Sequence, residues 1–220
     1  MYEAVRTRRA VRAFDGAPVD RSTLLRVLGA AIQAPSSGNL QPWRAVLVSG
    51  EPLARLKAAA VERARSGDQG DPRQYPMYPD EPWGDRYEER FRRAAAQRYA
   101  FFGIDRDDPD RPRKVAALNA TAFGAPAVLF CYVEPTVGPG QWADVGMFLQ
   151  TVMLLLRAEG LHSCPQVMWT MFREDVRRTV GVSEDLVLLC GLAIGHEHPD
   201  HSGLARTGRA PVHEVVSFVG

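Results

Sequence analysis

Lysine is scarce in this chain of 220 residues, since only Lys57 and Lys114 carry an amine among 27 lysine and arginine side chains. The 27 basic residues are matched by 26 aspartates and glutamates, which gives a formal net charge of +1 at pH 7. A surface built mainly to hold nucleic acid or anionic lipid carries a clear basic excess. The charge balance therefore argues against both of these classes of protein.

Cysteine is also sparse, and the three present are Cys131, Cys164 and Cys190. They are widely spaced, odd in number and form no CxxC pair, so neither a disulfide framework nor a zinc site is indicated. Cys164 has no basic or acidic neighbour in sequence, which favours a buried structural thiol over a nucleophile. This cysteine usage predicts a cytoplasmic protein.

Long hydrophobic runs are missing as well. The longest, LVLLCGLAIG at 186–195, is too short to cross a bilayer. The N-terminal MYEAVRTRR lacks the apolar stretch of a secretory signal. We therefore expect no association with a membrane.

The hydrophobic pattern predicts alternating helices and strands. Asp20 is the expected N-cap of the first helix and Pro35 ends it. A further helix is expected from about Pro52. The predicted helices span 21–33, 143–160 and 173–181, and the predicted strands span 43–50, 125–134 and 185–195. Such alternation is typical of a mixed α/β or α+β sandwich in which helices cover a sheet.

Residues 66–113 differ from the rest of the chain. They hold six of the sixteen prolines together with many aromatic residues. Within them, RYEERFRRAAAQRYAFF at 86–102 predicts one amphipathic helix. A long, proline-rich connection is either a functional lid or a loose excursion, and its aromatic content favours the lid.

Two stretches have the residue types of an anion-binding site. RTRRAVRAFDG at 6–16 carries four arginines within seven positions, and QAPSSGNLQPW at 33–43 places hydroxyls and an amide after Pro35. Guanidinium groups match phosphate oxygens bidentately, which a lysine cannot do. Each stretch also has a plain explanation, namely a solvated helix face for the arginines and an ordinary turn for the second stretch.

Taken together, these stretches resemble the opening of the nitroreductase family of FMN-dependent enzymes. Further along, DVGMFLQTVMLLLRAEGLHSCPQ is similar to that family's central dimer helix and the turn beneath its flavin, GLAIGHEHPD to its last core strand, and LARTGRAP to its C-terminal phosphate-binding segment. The resemblance runs in order from about residue 2 to residue 218. It implies a single domain over 1–220 with an α+β, three-layer α/β/α sandwich, an intertwined homodimer, and 66–113 as the lid over the flavin.

The resemblance also implies which residues bind FMN. Arginines from both ends of the chain would surround the phosphate and the pyrimidine edge of the flavin, and backbone N–H groups of the turn near Cys164 would approach its N5 edge. The expected cofactor-binding residues are Arg8, Arg9, Ala10, Arg12, Pro35, Ser36, Ser37, Asn39, Pro165, Gln166, Val167, Arg206 and Arg209. Ala10 departs from the family, which commonly has serine there, so one hydroxyl contact would be missing.

The implied reaction is ping-pong transfer through FMN. NAD(P)H would reduce the flavin and leave, and a nitroaromatic, quinone or similar small planar acceptor would then take the electrons, with no protein residue as general acid or base. Each FMN would lie at the dimer interface, with the arginines from one subunit and Ser36, Ser37 and Asn39 from the other. The C-terminal APVHEVVSFVG would add an edge strand to the partner subunit, or form one within its own chain.

Other interpretations remain open from the sequence. The same scaffold supports reductive dehalogenases, flavin-dependent dehydrogenases of biosynthesis and a flavin-fragmenting activity. A protein that binds flavin without turnover is a second class, and contact of the arginines with nucleic acid a third. HEHPDH at 196–201 permits a metal site, but Pro199 and the exit from a strand favour a surface turn. No GxGxxG fingerprint supports a Rossmann dinucleotide site.

Overall fold

The computed structural model describes residues 1–78, 81–201 and 206–220. The chain divides into two compact units. The first contains Met1–Tyr78 and Pro112–Ser202, and the second contains Pro79–Arg111 and Gly203–Gly220.

A four-stranded antiparallel sheet forms the centre of the first unit. Its strands are β1 (Arg44–Ser49), β2 (Ala127–Val133), β3 (His162–Gln166) and β4 (Val187–Gly195), in the order β1-β2-β4-β3. All seven residues of β2 are buried, because this strand lies inside the sheet with helices or turns on both faces. Phe130 fixes the register, opposite Val46 on one side and Gly191 on the other.

Seven helices accompany the sheet among the described residues. They are α1 (Tyr2–Thr7), α2 (Arg21–Ala31), α3 (Gly50–Ser66), α4 (Asp85–Phe101), α5 (Arg111–Ala120), α6 (Pro139–Ala158) and α7 (Arg173–Val180). All but α4 lie mainly in the first unit. Asp20 caps α2 by accepting a hydrogen bond from the Thr23 amide at 2.9 Å, as the sequence predicts.

The two faces of the sheet pack on different layers, because successive side chains of a strand point to opposite sides. Leu129 and Cys131 of β2 belong to the buried cluster that includes α2 and α6. Phe130 points the other way and meets Trp169 edge to face, with ring centroids 5.4 Å apart. Gly191 leaves the room for that indole, since a Cβ there would lie 2.5 Å from Trp169 Cδ1. The three-layer α+β sandwich is therefore confirmed.

Most of the predicted elements are present, with bounds that differ by a few residues. The helix expected from about Pro52 begins at Gly50, so Pro52 lies in its first turn. A proline is tolerated there because the first amides of a helix have no intrahelical acceptor. The prediction of a turn around Cys164 is wrong, since 162–166 forms β3. Pro165 is tolerated there because β3 is an edge strand of the sheet.

The second unit is built differently, with no buried residue in the seventeen residues of α4. Trp83 meets Phe91 edge to face at 5.2 Å, and the Arg111 guanidinium lies 5.3 Å from the centre of the Tyr99 ring. The tail at 206–220 contains one short 3-10 turn, Val212–Glu214, and no strand. The described tail therefore lacks the alternative considered for APVHEVVSFVG, an edge strand within its own chain, and the expected addition of a strand to a partner stays a prediction.

Of the helices in the described ranges, none combines the length and the apolar character that crossing a bilayer requires.

Candidate functional site

The arginine-rich segment near the N-terminus lies along the outer edge of β3. Ala10 forms a parallel bridge with Ser163, and the Val11 amide donates to the Ser163 carbonyl at 3.1 Å. The Phe14 amide donates to the Phe123 carbonyl at 2.9 Å, and both Val11 and Phe14 are buried. The backbone of this segment is thus held at both ends, at β3 and at the turn Ala122–Gly124 that precedes β2, while Arg12 between these anchors is only partly buried.

Arg9 has a carboxylate partner within its own chain. It donates to both carboxylate oxygens of Glu197, and the side chains of Arg9 and Glu197 are only 14% and 9% exposed. His162 Nε2 lies 3.7 Å from the same carboxylate. Burial and the neighbouring Arg157 lower the pKa of His162, while Glu197 opposes that shift. Sequence reasoning missed Glu197, whose only signal was its position between two histidines at the end of β4.

The loop at 35–41 is held by a buried acid of α6. The Ser37 amide donates to Asp144 Oδ2 at 3.2 Å, and Asp144 is 4% exposed. Ser36 Oγ accepts a hydrogen bond from the Gln41 amide at 3.0 Å. Asp144 was also missed, although a single acid inside an apolar helix is a recognisable signal.

The same loop has an uncommon backbone conformation. Positive φ angles occur at Gly38 (57°), Asn39 (55°) and Gln41 (49°). Glycine and asparagine tolerate this region, but glutamine rarely enters it without support from its surroundings. The arrangement turns Asn39 outward, where its side chain is exposed.

At the end of β3, one side chain of the predicted flavin-binding stretch points outward and the next points into the core. Pro165 is exposed, whereas Gln166 is buried. Gln166 Nε2 donates to the Asn119 carbonyl at 3.0 Å, and Gln166 Oε1 accepts from Trp169 Nε1 at 3.1 Å. Because the Gln166 side chain is used inside the core, Gln166 can offer only its main chain to a cofactor.

Within the first unit, the two predicted halves of the site attach to opposite ends of α6. The 35–41 loop is fixed at Asp144, and Thr7, the neighbour of Arg8, accepts a hydrogen bond from Arg157 Nε at 3.2 Å. Asp144 and Arg157 are thirteen residues apart in α6, which is about 20 Å along a helix axis. The structure therefore brings Arg8–Arg12 beside β3, and places the attachment of Ser36, Ser37 and Asn39 at the other end of the helix.

Arg206 and Arg209 belong to the second unit. Arg206 is exposed, and Arg209 Nη1 donates to the Thr207 carbonyl and hydroxyl and to the Gly208 carbonyl, each at 3.0 Å. Leu204 and Ala205 of the LARTGRAP motif lie outside the described residues. The convergence of Arg209 with the N-terminal arginines stays a prediction.

The first part of the predicted lid is fixed to the first unit. The Asp71 carboxylate accepts from Arg63 Nη2 at 2.9 Å and from the Glu174 amide at 2.8 Å, and the Tyr75 hydroxyl donates to the Leu189 carbonyl at 2.5 Å. These contacts hold the chain as far as Tyr75. A lid function for 66–113 stays a prediction.

The thiols do not form a nucleophilic site. None of the three cysteines forms a disulfide, and all three are buried. Burial raises the pKa of Cys190 to about 12 and holds that of Cys131 well above its usual range. Across 1–78, 81–201 and 206–220, no group of three or more histidine, cysteine, aspartate or glutamate side chains is arranged to hold a metal ion.

The side chains predicted to bind FMN are of the types that a phosphate and a ribityl chain require as donors. Within the described part of the chain, Arg12 makes only one long bond, from Nη1 to the Ala10 carbonyl at 3.5 Å, and Arg209 donates through a single nitrogen. Ser36 Oγ accepts from Gln41, which leaves its own proton for a ligand. Guanidinium and hydroxyl groups with unused protons are the donors that a phosphomonoester needs.

Comparison with known proteins gives consistent results. The sequence model described as Nitroreductase family matches residues 5–196. The nitrobenzene nitroreductase of Ectopseudomonas oleovorans is 33% identical over 193 residues, which cover 88% of this chain and 85% of that protein. The 4-nitrobenzoate reductase of Pseudomonas putida is 33% identical over 192 residues, covering 87% and 83% of the two chains.

Solved structures agree over the full length. The FMN and NADPH-dependent nitroreductase NfnB of Sphigopyxis sp. strain HMH is 41% identical, with a TM-score of 0.90 and coverage of 100% of this chain and 98% of that one. The FMN-dependent nitroreductase NfnB of Mycobacterium smegmatis, in complex with NADPH, is 30% identical, with a TM-score of 0.92 and coverage of 100% and 97%.

Proposed function

The chain belongs to the nitroreductase family, and on that premise we propose that it is an FMN-dependent oxidoreductase that uses NAD(P)H to reduce nitroaromatic compounds, quinones or similar planar acceptors. The observation that carries this proposal is the full-length match, at 41% identity and a TM-score of 0.90, to an FMN and NADPH-dependent nitroreductase. Two curated relatives are named for nitrobenzene and 4-nitrobenzoate, which supports nitroaromatic acceptors.

FMN, when bound, supplies the redox chemistry, because its ring accepts a hydride from the nicotinamide and returns electrons to the acceptor. The protein contributes position and charge. Arg8, Arg12 and Arg209 would hold the phosphate and the pyrimidine edge, and the hydroxyls of Ser36 and Ser37 would donate to the polar chain of the cofactor. Fixed positive charge near the pyrimidine edge favours the anionic reduced form.

Arg9 is expected to contribute less to cofactor binding than the other arginines of the N-terminal segment. Its guanidinium is paired with Glu197, so its net charge toward a ligand is reduced. The exposed Pro165 and the following main chain would line the ring, with residue identity less important than the path of the backbone.

We further propose that the active form is a homodimer built around α6. One face of this helix is exposed in the single chain, with Ala143, Gly146, Met147 and Gln150 on it. If two copies pack α6 against α6 in opposite directions, the 35–41 loop of one copy comes close to the arginine segment of the other. On one chain, the loop and the arginine segment are attached to α6 about 20 Å apart. This separation supports a dimer with two sites, each formed by the loop of one subunit and the arginine segment of the other.

We place the enzyme in the cytoplasm, since its three cysteines are buried thiols outside any disulfide and a reducing compartment keeps them so.

The visible spectrum of the purified protein tests the proposal. We expect a yellow protein that releases FMN on denaturation, is bleached by NADPH without oxygen, and regains its colour on addition of 4-nitrobenzoate. A colourless protein that retains no flavin after incubation with FMN and removal of the unbound excess would overturn the assignment. A flavin that neither NADPH nor NADH bleaches would instead identify a non-catalytic flavin-binding protein.

A further inference from the structure

A groove of about 790 Å³ lies entirely within the second unit. One wall is α4, which presents Arg86, Arg90 and Arg93 at spacings of four and three residues and therefore on one helix face. The opposite wall is the tail segment 207–211 with Glu214 and Val215. Binding sites for small molecules and cofactors typically have volumes of about 300–1,000 Å³, so the groove has the size of a ligand site.

The two walls are tied together by an ion pair. Arg90 Nη2 lies 2.8 Å from Glu214 Oε2, and both side chains are partly exposed. An exposed pair of this kind adds little stability. The ion pair matters for the shape of the surface, because it holds the tail across the face of α4. The arginines of that face therefore line a groove instead of an open, solvated surface.

The groove carries an excess of positive charge. Four arginines line it, Arg86, Arg90, Arg93 and Arg209, against two acids, Glu89 and Glu214, which leaves a formal charge of +2. Arg90 is neutralised by Glu214, and Arg209 donates only to its own tail segment.

Two of the groove arginines on α4 have no acidic partner among the residues that the structure describes. Arg86 stacks over the Tyr87 ring at 5.0 Å and donates to its hydroxyl at 3.0 Å. Arg93 makes no ion pair with any residue in the described ranges, and its five N–H donors project from an exposed part of α4. The groove therefore offers an unused bidentate donor to an anion.

We propose that this groove binds the phosphorylated adenosine end of NADPH, and that Arg93, supported by Arg86, recognises the 2′-phosphate and makes the enzyme prefer NADPH to NADH. The inference rests on the proposed function and specifies its electron donor. NADPH and NADH differ only in that phosphate, which carries about −1.5 to −2 charges at neutral pH, like other phosphomonoesters. This phosphate can pair with Arg86 and Arg93 even when Arg209 holds the FMN phosphate, whereas the single carboxylate of a nitrobenzoate would leave one of these two arginines without an anionic partner.

Steady-state kinetics on the FMN-loaded protein tests the assignment of Arg93. The ratio of kcat/KM for NADPH to that for NADH is measured for the natural protein, for Arg93→Ala and for Arg92→Ala. Arg92 is the matched control, because it is exposed on the same helix and does not line the groove. We expect the ratio to exceed one in the natural protein, to fall about ten- to hundredfold in Arg93→Ala, and to stay within about twofold in Arg92→Ala.

A binding measurement gives a readout that does not depend on turnover. Adenosine 2′,5′-bisphosphate and adenosine 5′-monophosphate are titrated into the FMN-loaded protein by calorimetry. We expect the bisphosphate to bind more tightly in the natural protein and in Arg92→Ala, and to lose that advantage in Arg93→Ala. Equal use of NADPH and NADH by the natural protein, or an equal change in both variants, would overturn the proposal.

Failure of this inference and failure of the proposed function give different results. If the protein forms a yellow complex that NADH and NADPH bleach with equal efficiency, the enzyme assignment stands and the groove assignment is wrong. If no flavin binds, the enzyme assignment fails, and with it the role given to this groove.

Discussion

α6 and α4 are helices of similar length, but they differ in how far they are buried against the rest of their units. α6 buries six of its twenty residues and supplies one wall of the core, while α4 buries none of its seventeen. The position of α6 is therefore determined by hydrophobic packing, and that packing also fixes the 35–41 loop through Asp144. α4 is held by exposed polar contacts, which leaves its charged face available for a ligand. In this chain the buried helix α6 positions one part of the proposed FMN site, and the exposed helix α4 presents charged side chains to a ligand.

The largest expected difference between the two helices is in stability. Phe148 of α6 is 2% exposed and stacks on Trp43 with ring centroids 5.1 Å apart. We expect Phe148→Ala to lower the free energy of unfolding by about 3–5 kcal/mol, because it leaves a cavity in the core. Phe91→Ala in α4 is the control, with an expected loss of under about 1 kcal/mol, since Phe91 is 42% exposed. Urea denaturation measures both, and similar losses would contradict the contrast.

A smaller effect is expected on cofactor affinity from the tail beside α4. Arg209→Ala should weaken FMN binding by about 2–3 kcal/mol, because it leaves phosphate charge unpaired. Quenching of FMN fluorescence on titration gives the dissociation constant. Arg55→Ala is the control, since Arg55 is an exposed residue of α3 that pairs with Glu51. An unchanged dissociation constant in Arg209→Ala would remove this residue from the phosphate site.

The buried acid of α6 is expected to have an effect of about 1–3 kcal/mol on stability. Asp144→Ala leaves the Ser37 amide without its buried acceptor. Asp144→Asn keeps a carbonyl oxygen in the same place and should recover much of the loss. Denaturation of the apoprotein measures the first effect, and the FMN dissociation constant shows whether the loop matters for the cofactor. Equal stability of the natural protein and Asp144→Ala would show that this hydrogen bond does not hold the loop.

The smallest expected effect is a pH dependence from the cluster around Glu197. Burial first, and then Arg157, lower the pKa of His162 below its usual 6.5. Between the two values the unfolded chain binds more protons than the folded one, so stability from this group rises with pH. It is lost as the pH falls from 6.5 toward the lowered value.

We therefore expect His162→Gln to flatten the fall in stability between about pH 7.5 and about pH 5.5, measured by urea denaturation. His213→Gln, at an exposed position of the tail, serves as the control and should leave the slope unchanged. A steeper fall in His162→Gln would show that the folded state favours the charged imidazole.

Much of the first unit could be predicted from the sequence, because burial and periodicity coincide there. Leu24, Val27 and Ala31 recur at helical spacing after the capping Asp20, and α2 follows. The buried strands β2 and β4 appear as uninterrupted apolar runs. β3 was missed because it is five residues long, contains Pro165 and has no polar alternation. α5 was missed because its apolar residues do not form a clear stripe.

The candidate site was only partly predictable, for a physical reason. The arginine segment and the 35–41 loop contain residue types that are typical of anion binding, so the sequence alone indicates both as parts of a site. Their supports, Glu197 and Asp144, form contacts across 188 and 107 residues of chain, and no local pattern encodes such a pairing. The charge excess beside α4 depends in the same way on how the tail crosses the helix.

Pro165 has one more consequence, which concerns association of the sheet. β3 is an edge strand, and the open edge of a sheet can recruit further strands from other chains. A proline lacks the amide hydrogen that a new strand would need, and the segment around Ala10 already pairs with Ser163 two residues earlier. This border of the sheet is thereby closed to extension by another polypeptide, so stacking of copies strand against strand is blocked here.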